Sequence, residues 1–212
     1  MVHLYLIRHA ESEANVNGHL IGGRSDHSPL SRHGELQAMV LGKYLRTTGV
    51  RFDSVHSSTA VRAVRTAEIS CEAIDFPLED IVMSDDLLEL SQGEWVGRRR
   101  HHIYTKEQVA IIDCDNWNFK APGGESQREC EERMTAYINK EIVEKYCAAS
   151  ARVGLFGHGM AIKCFLRGIF GFDASYSHQI EFRNTSVTHL GYGRRGWYPI
   201  TVNNAEHLLL LR

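Results

Sequence analysis

The sequence predicts an α/β fold: a three-layer sandwich whose central sheet is mainly parallel, with helices on both faces. Apolar strand patterns alternate with amphipathic helix patterns along all 212 residues, as in folds built from parallel strands and crossover helices. No repeat, low-complexity stretch or linker divides the chain. A chain of this length can bury a core without disulfides or metal. We therefore expect one domain that covers residues 1-212.

Each predicted strand is a short apolar run bounded by turn residues. Strands are predicted at residues 2 to 7, 52 to 58, 81 to 90 and 152 to 156, and in "TSVTHLGY", "WYPITV" and "AEHLLLL". The segment "GYGRRG" has the spacing of a dinucleotide-binding loop, but a strand pattern follows it instead of a helix. It is predicted to be a hairpin turn.

The helices are predicted from four-residue apolar spacing and from capping residues. They are expected from Ser31 to Gly49 (buried face Leu36, Val40 and Tyr44), at 59 to 74 behind a Thr59 cap, at 106 to 112, at 126 to 146, and from 160 to Gly168 or Gly171. Ser126 and Glu129 have the spacing of a capping box.

The composition excludes several classes of protein. Lys and Arg number 24 against 26 Asp and Glu, which argues against a broad nucleic-acid surface. No apolar run has the length of a membrane span, and the first residues enter a strand without a secretory leader, so a cytoplasmic location is expected. The five cysteines form no Cys-x-x-Cys pair and are predicted to be free thiols, mostly buried. The spacing of His27, His101 and His102 fits no zinc site, and we predict neither a metal nor another cofactor.

Basic side chains follow the carboxyl ends of three predicted strands. His9 follows the first strand, Arg62 lies one turn into the helix after the second, and His158 ends the strand at 152 to 156. Ligands of such sheets bind at this edge. With Arg8, these residues form a positive pocket next to helix N-termini, which suits a compact dianion such as a phosphoryl group.

A histidine in this pocket can also act as a nucleophile toward phosphorus, forming a covalent intermediate. The reaction then needs a proton donor for the leaving oxygen, and a partly desolvated carboxylic acid suits that task. Glu89 lies among leucines and is the candidate. Three other acids lie nearby: Asp85, Asp86 and Glu94.

The motifs together resemble the histidine phosphatase superfamily, also called the phosphoglycerate mutase-like family. The resemblance extends over nearly the whole chain and rests on seven segments in the family's order: "LIRHAESEAN", "GGRSDHSPLSRHGELQA", "SSTAVRAVRTAE", "LLELSQGEWVG", "PGGES", "GHGMAI" and "NTSVT". Ala10 stands where many members have Gly, a common substitution in the family.

The resemblance implies a role for each matching residue. His9 is the phosphorylated nucleophile, Glu89 is the proton donor and later the base, and Arg8, Arg62 and His158 hold the phosphoryl group. The residues expected at the substrate are Ser12, Asn15, Gly22, Gly23, Arg24 and Ser126, the last also a helix cap. Many members are dimers, so a homodimer is compatible with the resemblance.

The resemblance leaves two reaction types open. Phosphoglycerate mutases carry a longer insert after the acid segment, with an Arg-Arg pair for a second phosphate, whereas residues 97 to 122 here form a short stretch. This favours a metal-independent phosphomonoesterase acting on a small phosphorylated metabolite. The Arg98 to Arg100 run keeps the mutase reaction as the alternative. An inactive relative that binds a phospho-ligand or a protein is the non-enzymatic alternative, and the intact residue set argues against it.

Overall fold

A computed structural model describes residues 1 to 211 and contains a single six-stranded sheet over that range. Its strands are β1 (Val2–Arg8), β2 (Ser54–Ser58), β3 (Ile81–Ser84), β4 (Ala151–Gly157), β5 (Val187–Gly193) and β6 (Gly196–Asn204). The order across the sheet is β3-β2-β4-β1-β5-β6. The first four strands pair in parallel, and β5 and β6 add an antiparallel edge. The predicted mainly parallel sheet is confirmed, as is the hairpin between β5 and β6.

The α-helices are α1 (Glu13–Val16), α2 (Arg32–Thr47), α3 (Val61–Glu72), α4 (Arg100–Ile103), α5 (Lys106–Cys114), α6 (Gln127–Ile138), α7 (Glu144–Tyr146) and α8 (Gly159–Phe170). Short 3₁₀ turns connect several of them. Within residues 1 to 211, no helix has both the length and the apolar character that crossing a membrane requires.

The core has two layers, one on each face of the sheet. On one face, Leu4 and Leu6 of β1 pack with apolar residues of α6 and α8. On the other face, Ile7 of β1 packs with Leu41 of α2 and Ala67 of α3. Alternate residues of β1 therefore serve opposite layers, which is the pleat of a strand buried on both sides. The predicted three-layer sandwich is confirmed.

Residues 93 to 121 form a small cap with a core of its own. Trp95 and Ala121 are buried there with Ile21, and four apolar or aromatic residues pack around them: Ile103, Tyr104, Ile112 and Phe119. Helix α5 matches the predicted helix at 106 to 112, and Thr105 caps it. The Ile21 N–H donates a hydrogen bond to the Arg98 carbonyl, and the Ile21 carbonyl accepts one from the Gly97 N–H. These bonds hold the cap against the loop after β1.

The buried face of α2 differs from the prediction. Leu36, expected to face the core, is 46% exposed, while Ala38, Leu41 and Leu45 are buried. Gly42 explains the rotation: a Cβ there would lie 2.7 Å from the Cβ of Ala73 at the end of α3. The helix thus presents its glycine to the neighbouring helix, and apolar spacing alone does not reveal that contact.

Three predictions about the ends or the type of an element are wrong, each for a physical reason. Ala60, not Thr59, is the N-cap of α3, and the Thr59 hydroxyl donates instead to Asp85. The strand predicted at 81 to 90 ends at Ser84, whose hydroxyl caps a 3₁₀ turn. The segment "AEHLLLL" forms a 3₁₀ helix, Glu206–Leu211, that packs on α2 instead of extending the sheet.

Two further predictions hold in part. The helix predicted at 126 to 146 begins with the expected capping box but passes through a π-helical turn, Asn139–Val143, before α7. Among the cysteines, which are free thiols, Cys71, Cys130 and Cys164 are buried, whereas Cys114 and Cys147 are exposed.

Candidate active site

His9 lies directly after β1 and is fixed on both sides of its backbone. Its N–H donates to the Gly157 carbonyl at 2.9 Å, and its own carbonyl accepts from the Asn184 amide at 2.9 Å. The ring Nδ1 donates to the Ala10 carbonyl at 2.7 Å, so Nε2 carries the free lone pair. Burial, followed by the charges of Arg62 and Arg8, lowers the pKa of His9 well below its usual value. The imidazole is therefore neutral, as a nucleophile must be.

Arg62, in the first turn of α3, joins the two histidines. Its Nε donates to Nε2 of His9 and its Nη2 to Nδ1 of His158, both at 3.2 Å. The guanidinium is further held by the carbonyls of Ser25 at 2.6 Å and Gly23 at 3.3 Å. It is buried, and burial lowers its pKa while the Glu89 charge raises it. A planar donor thus lies against the predicted nucleophile.

His158 ends β4 and is fully buried next to His9, with the two ring centroids 5.2 Å apart. This closeness follows from register, because Arg8 of β1 pairs with Gly157 of β4. Since Nδ1 accepts from Arg62, Nε2 carries the proton and donates to the Ser58 hydroxyl at 2.8 Å. Burial, followed by the Arg62 charge, lowers the pKa of His158 well below its usual value.

Arg8 places a second guanidinium at this edge. One Nη group donates to the Phe182 carbonyl, while Nε is buried and has no hydrogen-bond partner anywhere in residues 1 to 211. A Cβ at position 159 would lie 3.3 Å from that Nε, so Gly159 permits the close approach. A buried guanidinium with an unused donor suits a bound anion.

Glu89 lies at the N-terminus of α8, the helix that begins immediately after His158. Its Oε1 accepts from the N–H groups of Leu90 and Ala161, both at 2.9 Å, and its Oε2 accepts from Met160 at 3.1 Å. Its charge raises the pKa of Arg8 and of Arg62. The carboxylate therefore belongs to the same cluster as the basic residues, although it comes from the segment after β3.

The other acids near Glu89 in sequence have different surroundings. Asp85 is exposed and accepts from the Thr59 hydroxyl, Asp86 is exposed, and Glu94 is exposed in the first turn of the cap. Glu11, next to the His9 segment, accepts from the Ser31 hydroxyl at 2.6 Å. Of these carboxylates, Glu89 is the one that the fold brings to the basic cluster.

The residues predicted to contact substrate divide into groups. Ser12 and Asn15 bond each other in the capping box of α1, and Asn15 also accepts from Asn184 at 3.3 Å. Gly23 offers its carbonyl to Arg62, while Arg24 donates from Nε to the Glu89 carbonyl at 2.8 Å.

The remaining two residues, Gly22 and Ser126, make hydrogen bonds with residues close to them in the chain. Gly22 accepts from the Ser25 hydroxyl through its carbonyl. Ser126 is buried and caps α6, sharing its hydroxyl with Glu129. A substrate contact for each of these residues remains a prediction.

Sequence reasoning missed three residues that hold the cluster in place. Asn184, in the closing "NTSVT" segment, bonds the His9 carbonyl. Glu125, in "PGGES", accepts from Arg133 through both oxygens at 2.9 Å and pairs with Arg24 at 3.4 Å. The motifs contained Asn184 and Glu125, but their roles depend on contacts between distant segments. Arg133 had no motif to mark it.

Metal-ligand side chains do not assemble elsewhere in the described chain. Over residues 1 to 211, no group of three or more His, Cys, Asp or Glu side chains has an arrangement that suits a metal ion. His101 and His102 lie side by side on α4 and are exposed. His27 is also exposed.

Two kinds of known protein resemble the chain. A protein named probable phosphoglycerate mutase GpmB, from Klebsiella pneumoniae, is 31% identical over 215 residues, which covers 98% of this chain and 95% of that protein. Its namesake in Salmonella paratyphi B matches equally well. Among solved structures, a mutant phosphoserine phosphatase of Entamoeba histolytica in complex with phosphoserine has a TM-score of 0.83 at 20% identity, covering 98% of this chain and 100% of that one.

Another solved structure, mycobacterial glucosyl-3-phosphoglycerate phosphatase in complex with VO3, has a TM-score of 0.78 at 21% identity and covers 95% of this chain and 98% of that one. At these identities the structures establish the shared fold. A family model, described as histidine phosphatase superfamily (branch 1), matches residues 4 to 205. This match extends over nearly the entire sequence, from β1 to the end of the sheet, and the chain belongs to the histidine phosphatase superfamily.

Proposed function

We propose that this enzyme is a metal-independent phosphomonoesterase that hydrolyses a small phosphorylated metabolite through a phosphohistidine at His9. The supporting observation is the state of the His9 ring. Its Nδ1–H is bound to the Ala10 carbonyl, so Nε2 is unprotonated, and it lies at the guanidinium of Arg62. Arg8 adds a buried donor without a partner in residues 1 to 211. A nucleophile beside two guanidinium groups is suited to attack a phosphoryl group.

The first step transfers the phosphoryl group to the enzyme. Nε2 of His9 attacks phosphorus and forms a P–N bond, while the P–O bond to the organic group breaks. Protonated Glu89 gives its proton to the leaving oxygen, which departs as an alcohol. Arg8 and Arg62 donate hydrogen bonds and present positive potential to the phosphoryl oxygens, whose charge is redistributed during transfer. His158 completes the phosphoryl site by accepting from Arg62 and so orienting its guanidinium.

The second step returns the enzyme to its starting state. Glu89, now a carboxylate, takes a proton from water as the water oxygen attacks phosphorus. The P–N bond breaks, inorganic phosphate leaves, and His9 recovers its lone pair. The proton from water replaces the one that left with the alcohol, so one carboxyl group serves as acid and then as base.

The names of similar proteins support hydrolysis and also keep one alternative. Phosphoserine phosphatase and glucosyl-3-phosphoglycerate phosphatase share the fold, whereas relatives at 31% identity are named probable phosphoglycerate mutases. The alternative function is therefore a mutase-type transfer of the phosphoryl group back to an organic acceptor. The short segment between Gly97 and Pro122 lacks the late Arg-Arg pair of the mutases, and this favours water as the acceptor.

The test is hydrolysis of p-nitrophenyl phosphate in EDTA by the wild type, His9→Ala and His101→Ala. We expect the chelator to leave turnover unchanged. Loss of the nucleophile should lower kcat by about 10³-fold or more, as typical for a covalent catalyst. His101 is exposed on α4 and serves as the control histidine, whose loss should leave kcat unchanged. A silent wild type, or a fully active His9→Ala variant, would contradict the proposal.

The mutase alternative has its own assay. Wild-type enzyme is incubated with 3-phosphoglycerate, with and without 2,3-bisphosphoglycerate, and both inorganic phosphate and 2-phosphoglycerate are measured. We expect phosphate release to exceed isomerisation. Interconversion without phosphate release, seen only with the bisphosphate present, would establish the mutase and reject the phosphatase.

A further inference from the structure

The segment that leads into β5, residues 179 to 186, contains no helix or strand. Three successive carbonyl groups in this connecting segment accept hydrogen bonds from side chains of three different elements. Lys163 of α8 donates to Ile180 at 3.1 Å, Asn203 of β6 donates to Glu181 at 2.7 Å, and Arg8 of β1 donates to Phe182. Side chains, instead of a regular backbone ladder, therefore satisfy these carbonyl groups and hold the segment in its conformation.

The Phe182 carbonyl is the contact between the connecting segment and Arg8. One Nη group of Arg8 donates to it, while the buried Nε of Arg8 has no hydrogen-bond partner within residues 1 to 211. The Phe182 side chain is 5% exposed and packs in the core layer of α6 and α8, which anchors the residue. A shift of this carbonyl would move the guanidinium that holds the phosphoryl group in the proposed reaction. The inference that follows rests on that proposed function.

Lys163 holds the connecting segment from the side of α8. Besides its bond to Ile180, its Nζ donates to the Ser177 carbonyl at 2.6 Å. Burial lowers the pKa of Lys163, the Glu89 charge raises it, and the Arg8 charge lowers it. The ammonium group therefore lies close enough to the basic cluster to interact with its charges, yet its hydrogen bonds go to the backbone of the segment.

Asn203 holds the connecting segment from the side of β6. Its amide donates to the Glu181 carbonyl, and its side-chain oxygen accepts from the Arg183 N–H at 3.0 Å. Because these two residues flank Phe182, one amide fixes the backbone on both sides of the carbonyl that binds Arg8. The φ angle of Asn203 is 53°, in the left-handed region that Asn enters more readily than most residues.

We infer that Lys163 and Asn203 are positioning residues for phosphoryl binding. They fix the connecting segment from two sides, and the Phe182 carbonyl then sets the direction of the Arg8 guanidinium. Neither residue contacts the phosphoryl group on this account. Loss of either lets the carbonyl shift, and the charge-assisted hydrogen bonds between Arg8 and the phosphoryl oxygens, which depend on geometry, become weaker.

Binding of inorganic phosphate, the product of the proposed reaction, tests this role without turnover. Isothermal titration calorimetry compares the wild type with Lys163→Met and Asn203→Gly. Glycine at position 203 removes the amide and still permits the left-handed backbone. We expect each substitution to raise the Kd of phosphate about tenfold, as the displacement of a binding group implies. Lys163→Arg should keep the wild-type affinity, because a guanidinium also has donors for two carbonyl groups.

Each test variant has a matched control. Lys43→Met removes an exposed lysine of α2. Asp75→Gly places glycine at another residue with a left-handed backbone, φ 59°, which follows the end of α3. Both controls should leave the Kd of phosphate unchanged. Thermal unfolding of every variant identifies the temperature range in which all of them are folded, and the titrations are made in that range.

The Arg8→Gln background separates positioning from a general loss of structure. If both residues act through Arg8, neither Lys163→Met nor Asn203→Gly should weaken phosphate binding by more than about twofold once Arg8→Gln is present. Full losses in that background would overturn the inference, as would wild-type affinity in both single variants. Failure of the proposed function alone would look different, because the wild type would then hydrolyse no phosphate ester while the pattern of phosphate affinities stayed as expected.

Discussion

The ring of His9 donates its Nδ1–H to the carbonyl oxygen of Ala10, the next residue in the chain. Because the acceptor is a backbone atom, no side chain at position 10 is needed to hold the tautomer. The family resemblance allows Gly or Ala there, and this contact accounts for that tolerance. The Ala10 N–H is itself held by the Thr66 hydroxyl at 3.0 Å. The proposed nucleophile is thus oriented by the main chain, and Thr66 of α3 supports it.

Glu89→Gln should trap the phosphohistidine. An aryl phosphate has a leaving group that departs without a proton, so the first step should continue. Water then lacks its base, and hydrolysis of the P–N bond should slow by about 10² or more. Intact-mass spectrometry after mixing with p-nitrophenyl phosphate should show protein carrying one phosphoryl group. The double variant with His9→Ala should show none, and rapid turnover by Glu89→Gln would mean that another residue is the base.

Part of the site could be predicted at the scale of single residues. His9, Arg62 and His158 each follow a strand that is recognisable from local apolar pattern, and parallel strands end at one edge. Asn184 and Glu125 could not be found in this way. Asn184 bonds the His9 carbonyl and Glu125 pairs with the side chain of Arg24, and both partners belong to distant segments. No local pattern encodes such contacts.

At the scale of elements, α8 connects the two sides of the proposed reaction. Its N-terminus follows His158 directly, and the N–H groups of Met160 and Ala161 hold Glu89. One rigid helix therefore sets the distance between His158, the proposed phosphoryl-binding residue, and Glu89, the proposed acid. Unpaired N–H groups at a helix start attract carboxylates, which explains why the segment after β3 is drawn to this point.

Glu125→Gln should weaken the support of Glu89. Glu125 holds Arg24, whose Nε binds the Glu89 carbonyl, and Arg133, which binds the Asp86 carbonyl before it. We expect kcat for an alkyl phosphate, which needs the acid, to fall about tenfold. For p-nitrophenyl phosphate, the rate of the first step is measured as the burst of nitrophenol. This rate should fall by a smaller factor, because the nitrophenolate leaves without a proton.

The control is Glu132→Gln, an exposed glutamate on α6 whose loss should leave both rates unchanged. Equal losses for the two substrates would contradict a positioning role. They would indicate general destabilisation of the site instead, which thermal unfolding of the same proteins would reveal.

Element boundaries were predictable where the signal was local. Ser126 caps α6 as predicted, because a capping hydroxyl acts within three residues. Helix α2 begins at the predicted place, and Ser31 caps it. The C-terminal leucines fit a strand locally, yet they form a 3₁₀ helix on α2. Whether this segment forms a strand or a helix depends on which surface of the rest of the fold is left for it to pack against. The local pattern of residues 93 to 121 does not predict the cap for the same reason, since its small core includes Ile21 from the loop after β1.

At the scale of the whole molecule, buried neutral histidines make stability depend on pH. Burial lowers the pKa of His56 and of His207 to about 4, against about 6.5 in an unfolded chain. Between these values the unfolded chain binds more protons, so the free energy of unfolding falls as pH falls from about 6.5 toward 4. Each histidine should account for about 2 kcal/mol of loss between pH 7.5 and pH 5.

Urea unfolding at the two pH values measures this loss. His207→Gln should show a loss smaller than the wild type by about 2 kcal/mol, because one titrating group is gone. Lys43→Gln, at an exposed position on α2, should behave as the wild type. An identical pH dependence in His207→Gln would show that this histidine does not contribute.

The overall architecture was the most predictable level, because it follows from many weak signals that agree. The alternation of strands and helices indicated a sheet with helices on both faces. Alternate side chains of β1 then pack into the core on each face. The order of the strands across the sheet could not be predicted from the sequence. Nothing local in "HLYLIR" specifies that β1 lies between β4 and β5, since that placement depends on how every other strand pairs.

The pairing of β1 with β4 has a consequence for how activity first arises. These strands are separated in the chain by residues 9 to 150, and their register brings His9 beside His158. Contacts between distant segments form late and slowly, because a long loop must close first. A refolding chain therefore gains helices before it gains a complete site. The return of phosphate hydrolysis after dilution from urea should lag behind the far-ultraviolet helix signal and report when the centre of the sheet closes.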